Sequence, residues 1–182
     1  MKSIYLDNAA TTQIDEEVLK VMHESMQSNF GNPSSTHQYG RKAKSVVETA
    51  RKKIANHFNV SASEIIFTAG GTEADNLILY NAVLNLGVTR IITTKIEHHA
   101  VLHTCYHLKE THNISIDYVH VDEFGTIDTA HLAALLSNSD KKTLVSLMYI
   151  NNEIGNILPV HEICKICRNY KALFHTDSVQ AI

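Results

Sequence analysis

From Ser61 onward the chain alternates short apolar runs with stretches of helical period, and this alternation constrains the fold more than any other feature. Parallel strands need a crossover long enough to hold a helix, so strand, helix, strand in succession predicts an α/β fold with a mainly parallel sheet. Strands are expected over Glu64 to Thr68, Arg90 to Lys95, Ser115 to Val121, Thr143 to Ile150 and Ala172 to Thr176, with helices near 73–86, 98–111, 128–137 and 160–170. The Ile and Phe of the first run and the Val, Leu and Ile of the fourth are the composition of strands covered on both faces. Residues 1–60 read differently. A helix begins near Asp15 with Val18, Met22 and Met26 on one face, the turn Gly31-Asn32-Pro33-Ser34-Ser35 stops it, and Thr36 is the expected cap of a long second helix. That helix carries the stripe Ala43, Val46, Val47, Ala50 and Ile54. The expected division is therefore 1–60, an arm with helices and the Gly31–His37 loop, and 61–182, a partial α/β large domain.

With 44% of residues apolar and 19% charged, the chain can build a real core, which excludes a disordered protein. Sixteen basic against nineteen acidic residues give a formal charge of −3, with no basic arm or stripe, so no nucleic-acid partner is expected. No signal-like opening and no long apolar run argue for a membrane, and three widely spaced cysteines suit free thiols in the cytoplasm.

The polar clusters follow the strands rather than scattering over the helices. The first run leads into Ala69-Gly70-Gly71-Thr72-Glu73, the second into Ile96-Glu97-His98-His99, the fourth into Asn151-Asn152-Glu153, and the fifth into Asp177-Ser178-Val179-Gln180. Parallel strands would put all of these on one sheet edge, where open α/β sheets bind ligands. Gly70-Gly71-Thr72 is either a tight turn capped by Thr72 or an approach for a phosphate to a helix N-terminus. It is neither a Walker A nor a G-x-G-x-x-G sequence. His98 is either an ordinary polar histidine or an imidazole placed to stack on a flat ring and move a proton. Its neighbour His99 points elsewhere, so the pair is not expected to hold metal. Asp177 is either half of a structural ion pair or a carboxylate facing a protonated pyridine nitrogen. Asn152 and Gln180 are loop amides able to hold a ring oxygen. Cys164 and Cys167 form a C-x-x-C inside an amphipathic helix, which reads as core packing rather than redox chemistry.

The blocks Tyr5-Leu6-Asp7-Asn8-Ala9-Ala10-Thr11-Thr12, Gly31 to His37, Phe67 to Asn76, Ile96 to Val101, Val145 to Gly155 and Phe174 to Ala181 occur in order. Together they resemble the N-terminal half of a cysteine desulfurase of the NifS/IscS-like, class V aminotransferase kind. Ala69 stands where a serine is common in the family. The resemblance implies the large domain of a PLP-dependent transferase of fold type I, stopping before the cofactor lysine and the small C-terminal domain. It implies pyridoxal 5'-phosphate (PLP) as cofactor, with Gly71 and Thr72 on the phosphate and His98 stacked on the ring and assisting proton transfer. Asn152 would contact the ring oxygen, Asp177 the ring nitrogen and Gln180 the phenolic oxygen. The implied reaction takes sulfur from L-cysteine, leaves alanine, and passes an enzyme persulfide to a sulfur acceptor or iron–sulfur scaffold protein. The implied assembly is a homodimer. Selenocysteine lyase, another fold type I PLP lyase, and a non-catalytic remnant binding a partner remain the alternatives. The family's lysine and nucleophilic cysteine lie beyond residue 182, so the chain alone is expected to be inactive, and its uncovered apolar faces to favour association or poor solubility.

Overall fold

The computed structural model describes residues 3–181, which divide into two compact units meeting at Phe67/Thr68. In the first unit, helix α1 (Glu16–Ser28) starts at Asp15, whose carboxylate accepts from the Glu17 amide at 2.8 Å and from Val18. Its apolar face stays open, with Val18, Met22 and Met26 all exposed. Helix α2 (Gln38–Phe58) is capped by His37 rather than by Thr36, because the His37 Nδ1 accepts from the Gly40 amide at 3.4 Å. The Thr36 carbonyl instead accepts from the Arg41 guanidinium. Asn59 ends α2 in the left-handed region at φ 54°, which its short polar side chain tolerates.

The expected strand from Glu64 to Thr68 does not form. Ala62–Glu64 is a short 3-10 turn, closed by Ser61 and Glu64 in a reciprocal capping box, and residues 65–68 are extended without a ladder. A strand exists only where a neighbour supplies hydrogen bonds, and here the Ile65 carbonyl accepts from Arg51 of α2 at 2.5 Å. The same guanidinium lies 4.7 Å from the Phe67 ring centroid. Covered faces were the expectation for this run, yet Ile66 is 67% and Phe67 48% exposed. These bonds to α2 carry the unit past Ser61, where the sequence pattern changes, to Phe67.

The second unit holds helix α3 (Gly71–Leu84), strand β1 (Arg90–Thr93), helix α4 (His99–His112), strand β2 (Ser115–Tyr118), helix α5 (Thr129–Ser137), strand β3 (Thr143–Ser146), helix α6 (Val160–Asn169) and strand β4 (Leu173–His175). The remaining expected strands and helices are thus present, the strands shorter at their C-terminal ends. The sheet is four-stranded and parallel throughout, in the order β2-β1-β3-β4, with Ile91 opposite Ile116 and Leu144, and Val145 opposite Phe174. Alternate residues point to opposite faces, so β1 sends Ile91 into a core with Leu79, Val101, Cys105 and Leu108 of α3 and α4. It sends Ile92 into a second core with Leu132, Leu136, Ile163 and Cys167 of α5 and α6. Helices therefore cover both faces, as parallel sheets require. Arg90, itself buried, joins Asp117 of β2 at 2.6 Å and the Leu135 carbonyl of α5 at 2.8 Å. Among the described residues no helix is long and apolar enough to cross a membrane.

The chain runs from β1 outward to β2 and then returns to lay β3 on the other side of β1. The C-terminal ends of β1 and β3 therefore flank a topological switch point, the place where open α/β sheets form a crevice. Ile92 is fully buried at the centre of this sheet. Ile92→Ala should lower unfolding free energy by about 2–5 kcal/mol, measured by urea titration, with the midpoint shifted and the slope unchanged.

Candidate cofactor site

Helix α3 begins at Gly70, which has no side chain to cap it, and among the described residues the amides of Gly71, Thr72 and Glu73 have no acceptor. Thr72 is not the cap: it sits inside the first turn, exposed, its carbonyl accepting from the Asn76 amide at 2.7 Å. The Glu73 carboxylate folds back to accept from the Ala69 amide at 2.5 Å, stiffening the turn before the helix. A Cβ at Gly71 would come within 2.6 Å of the Val179 Cγ2, so glycine there lets the Asp177–Gln180 turn close against the start of α3. The first and fourth of the polar clusters are thereby side by side.

His98 is the N-cap of α4, its Nδ1 accepting from the Ala100 amide at 3.1 Å. That bond leaves the neutral ring's proton on Nε2 and fixes the ring plane. Thr72 and His98 line one cavity of about 420 Å³, together with Asn76, Tyr80, His103 and Thr104. The Thr104 hydroxyl donates to Asn76 Oδ1, tying α4 to α3 across its floor.

Asp177 is only 7% exposed, and its Oδ1 accepts from the Val179 amide at 3.0 Å. Its carbonyl accepts from the Tyr149 amide at 2.8 Å, anchoring the turn to the segment after β3. Among the described residues no Lys, Arg or His nitrogen lies within ion-pairing distance of this carboxylate. Asn152 is half-buried and donates to the Glu153 carboxylate at 3.2 Å. Gln180 is exposed and makes no side-chain hydrogen bond among the described residues. No contact joins the Asn152 or Gln180 side chain to the others.

Two residues beside the expected ones hold the edge together. The Glu97 carboxylate, buried after β1, accepts from the Thr94 hydroxyl at 2.7 Å and from the Met148 amide after β3 at 2.8 Å, bridging the switch point. Asn151 donates to the Ile96 carbonyl at 2.7 Å and accepts from the amides of Glu153 and Ile154. Both stand directly next to residues the sequence singled out, and their signal is a polar side chain placed where a strand's apolar run ends. Glu97 and Asn151 also line a second cavity of about 290 Å³, with Phe124, Ile157 and Asn156. Burial pushes the Glu97 carboxyl from 4.5 up to about 7, the bonds from Thr94 and Met148 oppose this, and the charges of Asp177 and Asp75 add to it.

These residues fit a flat, doubly charged ligand. Unpaired helix amides beside the Thr72 hydroxyl suit a phosphate, an oriented imidazole suits a ring face, and a buried carboxylate without a cation suits a protonated ring nitrogen. Comparison with known proteins gives the fold and these residues their family context. Residues 4–182 match the family described as aminotransferase class-V. The chain belongs to that family. An IscS 1 relative in Bacillus subtilis (strain 168) is 47% identical over 184 residues, covering all of this chain and 48% of its own length. The cysteine desulfurase IscS of Dictyoglomus turgidum is 42% identical over 183 residues, with 46% of its length covered. Among solved structures, a NifS-like protein superposes with a TM-score of 0.88 at 39% identity, over 98% of this chain and 50% of that one. The chain thus spans about half the length of these class V relatives, whose family uses PLP.

Two outcomes follow from the site's own bonds. A Glu97 carboxyl raised in the fold binds more protons folded than unfolded, so its contribution to stability is intact below about pH 4.5 and lost as pH rises through about 7. Glu97→Gln mimics the protonated form, its amide donating to Thr94 and its oxygen accepting from Met148. The variant should gain on the parent by on the order of 2–3 kcal/mol between pH 5 and 8, read by denaturant titration at each pH. For the α4 cap, His98→Ala should cost about 1 kcal/mol and His98→Asn under about 0.5 kcal/mol, since asparagine caps as well; thermal melts of the two separate the cap from the ring.

Proposed function

We propose that this chain supplies the cofactor-holding half of a PLP-dependent cysteine desulfurase. The observation that carries the reading is Asp177, a buried carboxylate with no cation beside it among the described residues, closed by Val179 against the start of α3, whose first amides have no acceptor among those residues. Gly71 and Thr72 would hold the phosphate, His98 the ring face, Asp177 the ring nitrogen, Asn152 the ring oxygen and Gln180 the phenolic oxygen. Bound there, PLP supplies an electron-withdrawing ring that weakens bonds at the carbon carrying a substrate's amino group.

The chain's own residues define the remaining work. Asp177, its Oδ1 accepting from the Val179 amide, would face the ring nitrogen and accept from its proton. The α3 amides and dipole would take part of the phosphate charge. His98, its ring oriented by the Ala100 amide on Nδ1, would stack on the cofactor ring and assist proton transfer. The substrate is L-cysteine, the products are alanine and sulfur carried as a persulfide, and the sulfur passes to an acceptor such as an iron–sulfur scaffold protein. A homodimer in the cytoplasm is the proposed form, the latter in keeping with three unpaired cysteines. Neither Cys105 nor Cys167 serves as the nucleophile. Burial pushes Cys105 and Cys167 to about 12, which leaves almost no thiolate at neutral pH, and Cys167 packs in the α5/α6 core. The family pattern places the cofactor lysine and the reactive cysteine past residue 182, so the 182 residues alone bind PLP without turning over L-cysteine.

Equilibrium dialysis of the chain against PLP tests this. Asp177→Ala should weaken binding by about 10–100-fold, the worth of one hydrogen bond to a charged group, while adding L-cysteine should release no alanine. A chain that holds no PLP above background, or an Asp177→Ala variant that binds as well as the parent, overturns the reading.

A further inference from the structure

Asp75, which is buried, and His175, whose side chain is largely covered, are titratable groups that the site as described does not use. The His175 ring stands between three elements. Its Nδ1 lies 2.9 Å from the Ser146 hydroxyl, and Ser146 is its register partner across β3 and β4. Its Nε2 lies 3.4 Å from Asp75 Oδ1 on α3. Ser146 is wholly buried and Asp75 nearly so, which keeps substrate away from both and rules out a nucleophilic reading of this serine, histidine and aspartate. The Ser146 hydroxyl can donate to Nδ1 while Nε2 faces the Asp75 carboxylate, so one ring links β3, β4 and α3.

The placement of the two ends gives this chain of bonds its meaning. Asp75 lies one helical turn after Thr72, on the helix whose first amides face the proposed phosphate. His175 lies two residues before Asp177, on the segment that carries the carboxylate for the ring nitrogen. The phosphate and the ring nitrogen of PLP lie at opposite ends of one rigid ligand, so both subsites work together only if their separation is held. Without a fixed separation, occupying one subsite would forfeit contacts at the other. The backbone gives little help, since α3 and β4 are far apart in sequence and joined at this edge by Val179 against Gly71.

We infer that Asp75 and His175 are positioning residues, a buried clasp that sets the distance between the phosphate turn at Gly71–Thr72 and the ring-nitrogen carboxylate Asp177. The inference rests on the PLP reading above and goes beyond it. Its signature is loss of cooperation between the two subsites, rather than loss of either one.

The test compares dissociation constants for PLP, for pyridoxal without its phosphate, and for inorganic phosphate, by equilibrium dialysis of the chain, with circular dichroism confirming the fold of each variant. In the parent the two subsites are engaged at once and PLP binds far more tightly than pyridoxal. His175→Ala and Asp75→Ala should lower that preference by about tenfold while leaving the affinity for inorganic phosphate within about twofold. Asp75→Asn, which keeps the side chain's size and an oxygen facing Nε2, should restore most of it. If His175→Ala does not fold, Ser146→Ala, which removes a single bond of the clasp, should lower the preference about threefold. A folded His175→Ala or Ser146→Ala variant with an unchanged PLP-to-pyridoxal preference overturns the clasp while leaving the PLP reading intact. A parent chain that binds neither PLP nor phosphate overturns both.

Discussion

A carboxylate taken out of water has to be protonated, paired or hydrogen-bonded, and the second unit places Asp75, Glu97 and Asp177 at the same sheet edge. Each solves the problem differently. Asp75 takes the His175 imidazole, and Glu97 takes two donors and a raised affinity for a proton, while Asp177 is left with the Val179 amide alone. The negative field of this edge is therefore only partly neutralised from within. A positive group arriving at Asp177 would relieve Asp177 itself and also Glu97, whose proton affinity is raised in part by the Asp177 charge. The proposed role of Asp177 toward a protonated ring nitrogen draws on this charge balance.

The same edge shows how much was legible in the sequence. β1 to β4 and α3 to α6 follow from apolar runs and helical period because each is settled by neighbours close in sequence or by its own pattern. The Glu64 to Thr68 run fails for the opposite reason. Its composition suits a strand, but a ladder depends on a partner, and Arg51 takes the Ile65 carbonyl instead. The cap of α2 moved from Thr36 to His37 because imidazole nitrogen accepts an amide proton as well as a hydroxyl oxygen does, a competition that residue preferences alone do not resolve.

Gly71, Thr72, His98 and Asp177 stand out in the sequence by their positions at strand ends; the structure sets Gly71 against Val179, and Thr72 and His98 line one cavity. Glu97, Asn151, Asp75 and His175 were passed over. Their roles are bonds between segments distant in sequence, Glu97 to Met148 and His175 to Asp75, and no local spacing records such a pairing. Glu97, Asn151 and His175 each stand where a strand's apolar run ends, and Asp75 lies in a polar first turn of α3.

The strand order carries a consequence for how the chain comes together. β1, central in the sheet, is the first strand in the sequence; β2 then pairs on one side of it, β3 on the other, and β4 beside β3. At no stage must a strand be threaded between two that are already paired. As the polypeptide leaves the ribosome, each new strand meets an edge that is ready to receive it, and the order of synthesis is also an order of assembly.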